Sequence, residues 1–403
     1  MKILKPLLTV ELICLMSASG IAQPDVNKAY GFAQQQTKLM LAEIGNNKYA
    51  NATAKLVEPR TLNVDGQLKM IQSGDWCSGF FPGELWYLYE FTKDNSWLTV
   101  AKQYTILIEA EQYATTTHDL GFEIYCSAGN AYRLTKDDHY KDVIITAAKS
   151  LSTRFNPVVG CIKSWDNRKE WKFPVIIDNM MNLELLFEAS KLTGDTSFRH
   201  IAITHANTTL KNHMRPDYSS YHVVDYDPET GKVAHRQTHQ GYADNSAWAR
   251  GQAWGLYGFT LCYRETLNKV YLNEAEHIAQ FILTNPNIPA DMIPYWDYNV
   301  PDKQTAPRDA SAAAITAAAL LELSTYSKNK LYTQAADKII ASLETKYQAE
   351  PNGSKGFLLL HSTGHKPANS EVDVPIIYAD YYYLEALMRK NRLASKKNVL
   401  SGL

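Results

Sequence analysis

Two kinds of helical pattern alternate along this chain, and the alternation restricts its possible folds more than any other feature. The first kind is amphipathic: residues 29–44, 97–113, 139–155, 196–213, 269–283 and 330–347. Within 97–113, Trp97, Val100, Ala101, Tyr104, Leu107 and Ile108 form one apolar stripe, while Lys102, Gln103, Glu109 and Gln112 lie elsewhere. A helix of that pattern keeps one face in water. The second kind is apolar almost all round: residues 78–91, 120–134, 178–192, 247–263, 309–326 and 378–388. Segment 309–326 has hardly a polar face, so as a helix it must be covered on every side. The two kinds follow each other strictly, six times, and the enclosed segments start roughly 40–70 residues apart, a structural repeat without sequence identity. Period-2 strand patterns are scarce. These features predict an all-α fold, an (α/α)6 barrel of six helical hairpins, with the enclosed helices inside and the amphipathic ones outside. A linear solenoid is the alternative, but it favours near-constant repeat lengths. The variable loops and the count of six favour closure.

If the inner helices run parallel, their first residues share one rim. Trp76, His118-Asp119, Asp178, Asp244 to Trp248, Arg308-Asp309 and Tyr378-Ala379-Asp380 fall there. Aspartate is also among the best helix caps, and Asp309 before Ala310-Ser311-Ala312 reads most simply as one. Asp119 and Asp178 are 59 residues apart, one hairpin, which makes them neighbours across the rim. Two carboxylates in a low-dielectric cleft push their pKa values apart, giving one proton donor and one anion. The helix dipole opposes this by favouring ionisation.

Segment 235–259 is dense in functional side chains. Arg250 and Trp254 are four apart and share a helix face. A guanidinium can bind a carboxylate in bidentate fashion and an indole can stack on a sugar ring, so the pair suits an acidic sugar. The structural alternative is a tightly packed Gly/Trp helix pair. Gly251, Gly255 and Gly258 each cost about 1 kcal/mol of helix propensity, which points to close approach of backbone or ligand. His235 and His239 have helical metal-ligand spacing but no third ligand pattern. Residues 225–231 read as a β-turn rather than a calcium loop. No metal and no cofactor is expected.

The chain has 403 residues, with 41 basic against 42 acidic side chains. That balance excludes a broadly basic nucleic-acid binder. Twenty-five Tyr, 12 Phe and 8 Trp serve core packing, with some left for sugar stacking. Residues 1–22 read as a secretory signal: Lys2 and Lys5, an apolar run, then the small residues Ser17-Ala18-Ser19-Gly20-Ile21-Ala22. The run is too short to span a membrane. The expectation is an exported, periplasmic protein whose residues 23–403 form one catalytic domain. Cys77, Cys126, Cys161 and Cys262 match no zinc spacing and read as buried free thiols.

Six ordered stretches carry a resemblance. They are Asp75-Trp76-Cys77-Ser78-Gly79-Phe80-Phe81-Pro82-Gly83, His118-Asp119-Leu120-Gly121-Phe122, Ile177-Asp178-Asn179-Met180-Met181-Asn182, Tyr221-His222-Val223-Val224-Asp225, Gln237-Thr238-His239-Gln240-Gly241-Tyr242 and Trp248-Ala249-Arg250-Gly251-Gln252-Ala253-Trp254. In these the chain resembles the unsaturated glucuronyl hydrolases, glycoside hydrolase family 88, whose fold is the six-hairpin barrel. The resemblance implies a substrate left by a polysaccharide lyase, with a 4,5-unsaturated uronic acid at its non-reducing end. It implies that Asp178 protonates C4 of the enol ether and then helps activate water for C5, while an anionic Asp119 stabilises the cationic transition state. It places His118, His222 and Gln240 among the substrate-binding residues, and Trp76, Trp165, Trp248 and Trp254 in the pocket, with Thr238 and Arg250 nearby. Where the family pattern has Gly, this chain has Arg236, a candidate cation for a sulfated or otherwise anionic neighbouring sugar. Lys366 is a second such candidate. The related unsaturated rhamnogalacturonyl hydrolases tend to read Arg-Gly-Asn-Gly-Trp where this chain has Arg250-Gly251-Gln252-Ala253-Trp254. An inverting glycosidase or a non-catalytic glycan-binding barrel are the more distant alternatives.

Overall fold

The computed structural model describes residues 24–46, 56–166 and 169–400. The signal segment expected at 1–22 lies outside these residues. The chain opens with α1 (Val26–Asn46) and a β-hairpin, β1 (Leu56–Leu62) and β2 (Leu68–Gln72), before α2 (Phe80–Thr92) and α3 (Asn95–Ile108). The next enclosed segment is not a continuous α-helix as its pattern predicts. It is a π-helix over Gly121–Gly129 that tightens into α4 (Asn130–Thr135). Then come α5 (Asp138–Ser152), β3 (Phe155–Asn156), β4 (Cys161–Ile162), β5 (Pro174–Ile176), α6 (Asn179–Thr193) and α7 (Thr196–His213). After β6 (Val223–Tyr226) and β7 (Val233–Gln237) follow α8 (Ala249–Thr266), α9 (Lys269–Thr284), α10 (Ala310–Leu323) and α11 (Leu331–Ser342). The last elements are β8 (Ser362–His365), β9 (Ser370–Val374) and α12 (Ile377–Ala394).

The inner ring is α2, the π-helix with α4, α6, α8, α10 and α12, each packed on the next, and α12 packs back on α2. That last contact closes the ring and rules out a solenoid. Every residue of α10 from Ala310 to Leu323 is buried, as its lack of a polar face requires. The outer helices bury only one stripe; in α5 it is Tyr140, Val143, Ile144, Ala147, Ala148 and Leu151, with Ser150. Gly258 lets α8 approach α6, since a Cβ there would lie 2.4 Å from that of Met180. The glycines of α8 therefore serve helix packing, the structural reading of that segment.

The hairpin turns far from the rim carry a short sequence repeat that the helical patterns do not display. Thr92-Lys93-Asp94, Thr135-Lys136-Asp137, Thr193-Gly194-Asp195 and Thr266-Leu267-Asn268 are built alike. In each, the threonine hydroxyl donates to the carbonyl four residues back. It also accepts the N–H of the Asp or Asn. The Asp or Asn side chain then caps the next outer helix. The middle residue takes a left-handed φ, between 55° and 76°, the conformation that ends a helix in a tight turn. At the same end Arg264 and Arg389 pair with Glu184, Glu322 and Glu385 across the barrel axis.

The strands form four small sheets, β1–β2, β3–β4, β5–β6–β7 and β8–β9, all antiparallel. Short strands of this kind are too brief to announce themselves by alternation. Among the described residues Cys77, Cys126, Cys161 and Cys262 are free and buried. No helix among the described residues is long and apolar enough to cross a membrane.

Candidate active site

Side-chain caps are common at one end of the barrel and rare at the other, with uncapped α11 and capped α10 as the exceptions. The outer helices α3, α5, α7 and α9 begin on a capping Asp or Asn. At the rim, α2, α6, α8 and α12 begin without any side-chain cap. Asp178 sits at the N-cap position of α6, yet its carboxylate makes no capping bond. Asp119 makes none either; its Oδ2 accepts from the Thr117 hydroxyl at 3.3 Å. Asp309 is a cap as read, accepting from the backbone N–H groups of Ser311 and Ala312. The two carboxylates singled out are thus withheld from the local role that aspartate fills elsewhere.

They share a cavity of about 230 Å³ with Arg60, Trp76, His118, Trp165, Ile176, His239, Gln240, Arg250, Gly364, His365, Ser370, Glu371 and Tyr378. Asp178 is 8% exposed and its Oδ2 has no hydrogen-bond partner. Its pKa is pushed up to about 7. Burial is the main cause, and the Asp119 charge adds to it, while Arg250 pulls the other way. The Trp254 indole N–H also favours the anion without reaching hydrogen-bond geometry.

Each carboxylate faces a histidine whose tautomer follows from its neighbours. His222 Nδ1 accepts the backbone N–H groups of His239 and Gln240 at 3.2 and 3.1 Å. Its proton is therefore on Nε2, which lies 3.7 Å from Asp178 Oδ2. Asn182 Oδ1 accepts from the Phe122 N–H, which leaves its amide nitrogen to face His118 Nδ1 at 3.5 Å. His118 Nε2 then carries the proton, 3.3 Å from Asp119 Oδ1. Burial holds the pKa of both histidines below the usual range, so both face the carboxylates as neutral donors.

Arg250 is in the cavity wall but is not a free clamp. Its Nη1 donates to Asp309 Oδ2 and the Thr363 carbonyl, and Nη2 donates to the Gly364 carbonyl. Its plane lies against the rings of Trp248 and Tyr378, at 4.5 and 5.3 Å. Only Nε is buried without a partner, so a bidentate grip through both terminal nitrogens is not available.

Seven of the twelve expected residues line the cavity: Asp119, Asp178, His118, Trp76, Trp165, Gln240 and Arg250. Four others stand behind it. His222 is described above. Trp248 is packed between His222 and Arg250, and Trp254 is core, against Phe122 and Tyr382. Neither indole is offered to a sugar face, because their helix turns them inward. Thr238 accepts the Gly241 N–H and shapes a turn. Arg236 is exposed on β7, donating to the Asn212 carbonyl and lying over Tyr221, and is not among the residues lining the cavity. Lys366 follows His365 at the cavity edge without lining it. The expected turn forms at 227–231, after the end of β6, with Asp227 Oδ1 accepting from the N–H groups of Glu229 and Thr230. Sequence reasoning missed Arg60, Ile176, Ser370 and Glu371, which carry no local signal. Tyr378 opens α12 and could have been drawn from the rim rule.

A profile of Glycosyl Hydrolase Family 88 matches residues 50–391. The chain belongs to Glycosyl Hydrolase Family 88. An unsaturated glucuronyl hydrolase of Formosa agariphila is 46% identical over 379 residues, covering 93% of this chain and 92% of that relative. A crystal structure of an unsaturated glucuronyl hydrolase specific for heparin is 45% identical, with a TM-score of 0.87 over 93% of this chain and all of that one (100%). A substituted Streptococcus agalactiae unsaturated glucuronyl hydrolase, complexed with dGlcA-GalNAc6S, is 28% identical, with a TM-score of 0.73 over 91% of this chain and 92% of that one. The protein is thus a family 88 glycoside hydrolase on an (α/α)6 barrel.

Proposed function

We propose that this protein removes the 4,5-unsaturated uronic acid from the non-reducing end of lyase-generated glycosaminoglycan oligosaccharides, with Asp178 as the acid. The observation that carries the reading is Asp178 itself. Its carboxyl, on the cavity wall, is half protonated near neutral pH and has one buried oxygen without a hydrogen-bond partner. Its position invites a cap that it does not make.

The chemistry follows from the substrate. An enol ether is protonated at carbon, so the Asp178 proton goes to C4 and positive charge spreads over C5 and the ring oxygen. Asp119, beside it, lowers the energy of that cation. Asp178, now an anion, takes a proton from the water that adds to C5. The hemiketal so formed collapses, the ring opens and the glycosidic bond is released. The Gln240 amide, on the cavity wall, is placed to hold a sugar hydroxyl, and His222, behind that wall, keeps its Nε2–H toward Asp178. Arg250, in the cavity wall and held there by Asp309 and two backbone carbonyls, supplies a positive field to the sugar carboxylate.

The relatives named for unsaturated glucuronides, heparin and dGlcA-GalNAc6S support this substrate class. The test is to mix the protein with unsaturated heparin or chondroitin disaccharides and follow the ultraviolet absorbance of the double bond. Loss of absorbance with wild type but not with Asp178→Asn is expected. Cleavage of saturated glycosides without that loss would reject hydration. We also infer that residues 1–22 direct export to the periplasm. Cell fractionation, with the mature N-terminus determined, tests this; an intact Met1 on cytoplasmic protein would overturn it.

A further inference from the structure

One wall of the cavity is the β8–β9 hairpin, which contributes Gly364, His365, Ser370 and Glu371. It is not part of any helical hairpin, so something must hold it against the rim. From the barrel side Arg250 does so, through the carbonyls of Thr363 and Gly364, and Gln240 adds a bond to the latter at 3.1 Å. From the other side the hold comes from β1. Arg60 donates Nε and Nη2 to the two oxygens of Glu371, at 2.6 and 2.9 Å. Its Nη1 donates to Asp75 Oδ1 at 2.6 Å. Asp75 in turn accepts the Cys77 N–H and is bonded to Trp76, which lines the cavity.

Two further features show that this arrangement is built. Glu371 adopts a left-handed φ of 55°, strained for a residue with a Cβ. Its side chain lies across residue 364, where a Cβ would meet Glu371 Cβ and Oε2 at 2.8 Å, so only glycine fits there. The Thr61 hydroxyl of β1 also donates to the Pro375 carbonyl, just before α12 and Tyr378.

We propose that Arg60 is a positioning residue of the active site. It ties the Glu371 wall to the Asp75–Trp76 wall and so sets the shape of the cavity that receives the sugar. Each of its three nitrogens donates to a carboxylate of one wall or the other, so it acts through those walls. The β1–β2 hairpin, which lies outside the six-hairpin repeat, is thereby part of the site. This inference rests on the hydrolase reading above for its kinetic arm only.

The experiment uses the full chain. In Arg60→Met, and in Arg60→Met/Glu371→Gln where no buried carboxylate is left facing an apolar side chain, amide hydrogen exchange is measured without ligand. Faster exchange across residues 362–374, with α6 and α10 as protected as in wild type, is expected. Unchanged exchange at 362–374 in a folded variant overturns the proposal, whatever the enzyme's substrate is. With unsaturated disaccharide, KM should rise about tenfold, as misplacement of a binding wall does, while kcat changes less than about twofold and the alkaline limb set by Asp178 stays in place. Arg60→Lys, which keeps one ion pair, should recover part of the KM. A fall in kcat at unchanged KM would mean a structural role alone, and would overturn the proposal. If wild type leaves every unsaturated disaccharide intact, the hydrolase reading fails and the exchange result alone decides.

Discussion

The protonation of Asp178 makes a quantitative prediction about pH. Its pKa stands at about 7 where an ordinary aspartate has 3.8, a difference worth roughly 4 kcal/mol against the anion. The sign of the rate effect is fixed by the role: an acid must hold its proton, so activity falls as pH rises through 7. Between pH 6 and pH 9 the protonated fraction drops from about 0.9 to about 0.01, so kcat/KM should fall roughly ninetyfold on that limb. The fall should be log-linear above pH 8, about tenfold per pH unit. The assay is the loss of double-bond absorbance at low concentrations of unsaturated disaccharide, in buffers of constant ionic strength. Asp178→Asn keeps the shape and removes the proton, and should cost about a hundredfold to ten-thousandfold, with unchanged melting behaviour. A flat profile from pH 7 to 9, or an Asn variant with more than a tenth of wild-type activity, would refute the assignment of the acid.

Other perturbations follow from the same geometry. Asp119→Asn removes an anion that raises the Asp178 pKa, so the alkaline limb of the residual activity should move to lower pH. Trp254→Phe deletes the indole N–H that favours the Asp178 anion, so the limb should move to higher pH, read from the same profile. Asn268→Ala removes the cap of α9 and should cost about 1 kcal/mol of stability in urea unfolding, without altering kcat. Glu84 is buried beside Thr37, and burial pushes its carboxyl up to about 7. A raised folded-state pKa gives stability that is full below the ordinary glutamate value and lost as pH rises through 7. Glu84→Gln should therefore flatten the decline in melting temperature between pH 6 and 8.

The helices were legible because burial imposes a period on them. The pattern of 196–213 coincides with α7, and that of 269–283 falls one residue short of α9. The π-helix at Gly121–Gly129 was not legible, since one extra residue per turn leaves the apolar count of a fully enclosed segment unchanged. Asp119 and Asp178 were visible as rim residues, but whether they cap was decided only by side-chain direction. The resemblance implies a pocket position for Trp248 and Trp254, whereas the sequence itself shows only that each ring sits at the start of a helix, and not which way it points. Arg60 meets Glu371 across 311 residues, a separation at which no local pattern operates. The repeated Thr-x-Asp/Asn turns are polar, so they leave no trace in a periodicity of apolar residues, although they stand in the sequence at 92–94, 135–137, 193–195 and 266–268.

Closure of the ring has a consequence for when the enzyme comes into being. The cavity draws on β1, on the starts of α2, α6, α8 and α12, and on a hairpin that precedes only the last helix. No early part of the chain holds all the residues that line the cavity. The pocket is complete only once α12 packs on α2, after nearly all of the polypeptide has been made. A ribosome-bound chain lacking its last thirty residues would carry both aspartates and no catalyst.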